Sequence, residues 1–132
     1  MLPKVVVAYL LFSLVWGGMN VAQEITGHVH ENHLRTKAIA SLMPKFPAIA
    51  KKEKISGVAV AKITVNGDGQ VANVQILEAP HPSIEQAVKE ALYKWRFAKF
   101  SIKGKPIIAI GKMTFYFVND KRGARVENPY PW

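Results

Sequence analysis

Three closely spaced histidines, His28, His30 and His33, with Glu31 among them, are the first residues in this chain to suggest chemistry, because imidazole nitrogens ligate zinc, copper or nickel. Their spacing matches no defined metal site, and the chain has no cysteine to complete one. They read as part of a solvated polar segment, so no metal and no cofactor is expected. Nucleophilic catalysis has less support still. Ser56, Ser83 and Ser101 have no evident base beside them, and the acids are scattered singly. His81 lies in Pro80-His81-Pro82, where starting a helix is sufficient explanation. An enzyme is therefore not expected. The remaining cluster is basic. Arg96, Lys99, Lys103, Lys105 and Lys112 surround the start of an apolar run, forming a solvated face that also suits the steering of an acidic partner segment.

Few elements are needed to position these groups. Residues 58–66 alternate, with Ala59, Ala61, Ile63 and Val65 on one side, which predicts a strand. Asn66-Gly67-Asp68-Gly69 supplies turn residues, and Val71 to Leu77 returns as a second strand, completing a hairpin. Ser83 and Gln86 have the form of a capping box. In the helix that follows, Ile84, Ala87, Val88, Ala91, Leu92 and Trp95 draw one apolar stripe. Gly104 and Pro106 lead into the longest β run, Ile107 to Val118, where Gly111 is expected to mark a bulge or bend. Upstream, Leu34, Ala38 and Leu42 suggest a short helix. Pro47 is expected to open another, reaching Lys54, with Ile49 as its inward anchor and Gly57 beyond its end. Trp95, Phe97, Phe115 and Phe117 read as core aromatics. The expected fold is α+β, a three-stranded antiparallel sheet with two helices packed on one face. Its edges offer unpaired backbone groups to a partner strand.

The chain has 132 residues, enough for one modest domain, and its 49% apolar and 20% charged content is that of a globular protein. Val5 to Trp16 is apolar but for Ser13, with Lys4 before it and Gly17, Gly18 and Ala22 after it. That layout reads as a signal peptide over residues 1–22, with a short membrane anchor as the other reading. Residues 23–45 read as a polar lead-in, residues 46–118 as the folded domain, and residues 119–132 as an extended tail. The net charge is +9, and Lys4 is its only contribution from residues 1–22. An exported basic chain without cysteine suits the periplasm and an acidic or anionic partner, and makes nucleic acid the least fitting one.

The succession Phe46-Pro47-Ala48-Ile49-Ala50-Lys51-Lys52, Ile55-Ser56-Gly57-Val58, Asp68-Gly69 with Val71, His81-Pro82, Lys94-Trp95-Arg96-Phe97, Gly104-Lys105-Pro106 and Thr114-Phe115-Tyr116-Phe117 resembles the TonB C-terminal domain family. The resemblance implies a periplasmic protein-binding domain of energy transducers. Such a domain docks onto an outer-membrane transporter by pairing with its TonB-box segment along the last strand. Carried onto this sequence, the pairing residues are Lys105, Ile107, Ile108, Ala109, Ile110, Lys112, Thr114 and Tyr116. Inner-membrane motor proteins are the further partners implied. The chain departs from motor-coupled members in three ways. Its apolar run has no histidine, residues 23–45 hold a single proline and span at most about 80 Å, and Ala98-Lys99 stands where a proline is usual. These departures favour a second reading, a self-associating envelope module whose open edges pair two copies into a homodimer.

Overall fold

The computed structural model describes residues 24–130. The expected export segment, residues 1–22, and the end of the tail at Trp132 lie outside the described residues. The expected hairpin is present as β3 (Gly57–Val65) and β4 (Val71–Glu78), where Asn66 Oδ1 accepts from the Asp68 and Gln70 N–H groups at 2.9 and 3.0 Å. Gly69 in that turn has φ +88°, and a Cβ there would meet the Phe97 carbonyl oxygen at 2.0 Å, so only glycine fits. The long β run forms β7 (Lys105–Asp120), antiparallel to β3 from Gly57↔Phe117 to Val65↔Ala109.

Around this centre the sheet is larger than the three strands expected. It has six strands, with the path β1-β7-β3-β4 and with β6 and β8 also paired to β7. Among the described residues there are three helices, not two. The segment expected to be a polar lead-in forms β1 (Ile25–His28), α1 (Glu31–Thr36) and β2 (Ala38–Ala40). The expected extended tail turns back as β8 (Gly123–Glu127), paired with Tyr116 to Asp120 of β7. β6 (Ser101–Ile102) closes a tight hairpin onto the start of β7 through Lys103 and Gly104, and β5 (Arg96–Phe97) pairs with β2 in a separate two-stranded sheet.

One face of the sheet carries the core. Ala59, Ala61, Ile63 and Val65 of β3 and Ile107, Ala109, Met113, Phe115 and Phe117 of β7 are buried there. α3 (Pro82–Tyr93) covers them with Ile84, Val88, Ala91 and Leu92, while Ala87 is half-buried. Each large apolar side chain buried in this way contributes about 1.5–3 kcal/mol. Trp95 and Phe97 pack ring against ring, Trp95 meets Phe115 edge on, and the indole N–H donates to the Leu42 carbonyl at 2.9 Å.

Other local expectations change. α3 is capped by His81, whose Nδ1 accepts from the Ser83 N–H at 3.1 Å, and Gln86 instead donates to Glu90. α2 (Ala48–Lys52) is shorter than expected. Pro47 is its N-cap, Ala50 is the buried anchor, and Ile49 is exposed. Gly111 makes no bulge against β3, because its pairing with Ile63 continues the register unbroken.

Candidate functional site

The expected partner-binding residues lie on β7, and the pleat divides them. The Ile110 carbonyl accepts from the Val29 N–H at 2.8 Å, on the side of β7 away from β3, whereas the Ile107 N–H donates to the Phe100 carbonyl at 2.9 Å beside β6. By strand parity, even-numbered residues turn their backbone groups to the outer edge and odd-numbered ones toward β3. Ile108, Ile110, Lys112, Thr114 and Tyr116 are therefore edge residues. Ile107 and Ala109 present their backbone inward and bury their side chains in the core, and Lys105 pairs with Ile102 of β6.

This edge is not open along its length, as had been expected. β1 runs parallel to it from Ile25↔Ile107 to His28↔Ile110. β8 covers the other end, from Tyr116↔Glu127 to Asp120↔Gly123. Continuing the β8 register sets Pro129 opposite Thr114, and proline has no N–H with which to extend the ladder. Side chains of α1 take over at that point. The Thr114 N–H and hydroxyl donate to the two Glu31 carboxylate oxygens, the latter at 3.0 Å, and the Thr114 carbonyl accepts from Arg35 Nη2 at 2.6 Å. Arg35 also pairs with Glu31 at 3.0 Å and lies 5.2 Å over the Phe115 ring. Burial pushes its pKa below the ordinary arginine value, and the bond and charge of Glu31 oppose that shift.

Gly111 makes this arrangement possible. A Cβ there would meet Leu34 Cδ1 and the Val29 carbonyl oxygen, each at 2.5 Å, so the glycine seats the buried Leu34 of α1 against β7. Among the described residues, Lys112 is the edge position reached by neither β1, the Glu31–Arg35 pair nor β8. It borders a cleft of about 530 Å³ lined by His28, His30, Glu31, Lys112, Thr114 and Tyr130. Its side chain is exposed and faces the exposed Lys62 in direct register, a like-charged cross-strand pair that is unfavourable without an acidic neighbour.

The three histidines border one cleft with Lys37 and Phe100 but do not form a ligand set. His28 sits on β1, His30 is the N-cap of α1, and His33 meets the Phe100 ring edge on at 6.1 Å. Among the described residues no three His, Cys, Asp or Glu side chains gather as a metal site. Contrary to expectation, Ser83 does have a base beside it, its hydroxyl lying 2.7 Å from His81 Nδ1. That nitrogen is also the cap acceptor for the Ser83 N–H, and His81 Nε2 lies 3.4 Å from Glu53, so the group closes the start of α3. Sequence reasoning noted Glu31 only as a neighbour of the histidines and missed Arg35 and their joint role at Thr114. The i,i+4 spacing of Glu31 and Arg35 was the available signal for the pair.

A small α+β domain organised around one long antiparallel strand is the class these features define. Residues 43–118, more than half of the chain, match the family described as Gram-negative bacterial TonB protein C-terminal. The chain belongs to the TonB C-terminal family. It is 39% identical to Protein TonB of Escherichia coli K12 over 71 residues, which are 53% of this chain and 28% of that protein. It is 30% identical to Protein TonB of Pseudomonas aeruginosa over 80 residues, 60% of this chain and 23% of that protein. The chain thus spans about a quarter of the length of these relatives. Among solved structures it is similar to the solution NMR structure of Pseudomonas aeruginosa TonB CTD, with a TM-score of 0.55 and 27% identity over 65% of this chain and 88% of that one. β1, α1 and β8 lie outside the family match.

Proposed function

We propose that this chain is a TonB-like periplasmic adaptor that takes up an extended segment of an outer-membrane transporter by strand addition along the outer edge of β7. It acts as a binding domain of the energy-transducer family and not as an enzyme. The observation that carries this reading is Lys112, an uncovered edge position flanked by short and interrupted coverage. The Lys62–Lys112 pair and the charge of +9 favour a segment bearing an acidic residue. Among the described residues no helix is long and apolar enough to cross a membrane.

The test is proline substitution in the full chain. Lys112→Pro removes an edge donor that β3 does not use, and Lys121→Pro alters the β7–β8 turn as a control. Capture of a synthetic TonB-box peptide should weaken about tenfold or more in Lys112→Pro, equivalent to about 1.4 kcal/mol. It should persist in Lys121→Pro, with both variants folded by circular dichroism. Equal binding by the two variants would refute strand addition at this edge.

One observation favours the self-associating reading as second choice. β4 ends the sheet, and among the described residues no strand pairs with its outer side, where the Val74 N–H donates to the Tyr93 hydroxyl at 3.2 Å. Light scattering over a concentration series tests it, since a strict monomer excludes a homodimer.

A further inference from the structure

The outer edge of β7 is filled from within the chain, and the filling imitates a strand. A neighbouring strand would offer Thr114 a carbonyl acceptor for its N–H and an N–H donor for its carbonyl. Glu31 offers the acceptor and Arg35 the donor, from consecutive turns of one helix. We infer that β1 and α1 form a displaceable strap over this edge, with the Glu31–Arg35 pair as its latch. This rests on the strand-addition reading above and assigns that site its regulation.

Three features make the strap removable. First, its hold is small. β1 has four residues, with Ile25, Thr26 and His28 exposed, and α1 buries Leu34 and Arg35. Second, exchange leaves no charge stranded. Glu31 and Arg35 pair with each other inside α1, so the ion pair lifts off with the helix, and the bonds released at Thr114 are the ones an arriving strand replaces. Third, Lys112 provides a foothold. A segment that bonds first at Lys112 lies between β1 and the Thr114 latch and can advance by displacing the latch on one side and β1 on the other. Pro129 keeps β8 from closing that gap. The competent fraction of the protein, and hence its apparent affinity, is then set by how often the strap is open.

The test has two arms, both on the full chain. Native-state hydrogen exchange compares the amides facing the strap, Ile108, Ile110 and Thr114, with their odd-numbered neighbours Ala109, Met113 and Phe115. The strap predicts that the first set exchanges about tenfold or more faster after correction for intrinsic rates, and that Glu31→Gln accelerates Thr114 further without moving Met113. In the second arm, Thr26 and Ile108, which are register partners, are both replaced by cysteine in this otherwise cysteine-free chain. The oxidised and reduced forms of that one variant are titrated with the TonB-box peptide. The oxidised form should bind about tenfold or more weakly, with binding restored by reductant.

Uniform exchange of odd and even amides, released only by global unfolding, would overturn the strap. So would equal peptide binding by the two redox forms, which would leave strand addition standing but place it elsewhere. If neither form captures the peptide, strand addition itself fails. The exchange arm then decides alone, separate opening of the even amides sustaining the strap and uniform exchange overturning it.

Discussion

Replacing Gly111 with alanine tests how the strap is seated. The added methyl carbon would lie 2.5 Å from both Leu34 Cδ1 and the Val29 carbonyl oxygen. The leucine tip can rotate, but the carbonyl is fixed by the neighbouring Val29 N–H bond to Ile110, so the start of α1 must move outward. Overpacking of this kind costs about 1–3 kcal/mol. Alanine in a strand recovers up to about 1 kcal/mol through the unfolded chain, so from the middle of that cost range, about 2 kcal/mol, a net loss of about 1–2 kcal/mol is left. For a domain of this size that lowers Tm by roughly 5–15 °C. Thermal melts give the total, and hydrogen exchange gives the place. Val29 and Thr114 amides should lose protection while Ala61 and Met113 keep theirs. Adding Leu34→Ala removes one of the two clashes, so the double variant should be more stable than the sum of the single changes predicts. If Gly111→Ala is neutral or stabilising, the glycine does not seat α1, and the account of the strap's geometry fails.

Trp95 is fully buried and donates its indole N–H to Leu42, so Trp95→Ala should cost about 3–5 kcal/mol in urea unfolding. Trp95→Phe fills much of the space but leaves the Leu42 carbonyl without its donor, and should cost about 1–3 kcal/mol. The Asp120 carboxyl is held down to about 2, first by its two-pronged bond with Arg125 at 2.9 and 3.1 Å and then by the Arg122 N–H. Because the folded value is depressed, its contribution is complete above the ordinary carboxylate range and is lost as pH falls from about 4 toward 2. Protection of the β7–β8 amides should fall over that window, and Asp120→Asn should flatten the dependence. Exchange measured from pH 6 to 2 checks both.

The hairpin, α3 and β7 were legible because each repeats its period often enough to fix a face, as with Ala59 to Val65 at period two and Ile84 to Trp95 at the helical period. The strap was not legible, for a physical reason. β1 is four residues long and mostly exposed, and α1 buries one apolar side chain, so neither accumulates a pattern. Leu34, Ala38 and Leu42 suggested a short helix, yet α1 stops at Thr36, Ala38 of β2 pairs with Phe97 of β5, and Leu42 is exposed. Their conformation is set by β7 and by the space at Gly111, which no local window of sequence contains. β8 was missed because its burial is partial and its turn is charged, so Lys121-Arg122-Gly123 read as tail. The expected pairing residues were read as one continuous surface. The pleat gives Ile107 and Ala109 to the core, and the strap and β8 leave Lys112 uncovered.

Nitrogen-15 labelled full chain mixed with an unlabelled TonB-box peptide gives the most direct measurement of the central claim. The account predicts that the Lys112 amide becomes protected from exchange and shows intermolecular contacts to the peptide backbone, with the peptide adding along the even-numbered residues of β7. Peptide contacts along Ala72, Val74 and Ile76 of β4, or a Lys112 amide unchanged at saturating peptide, would contradict it.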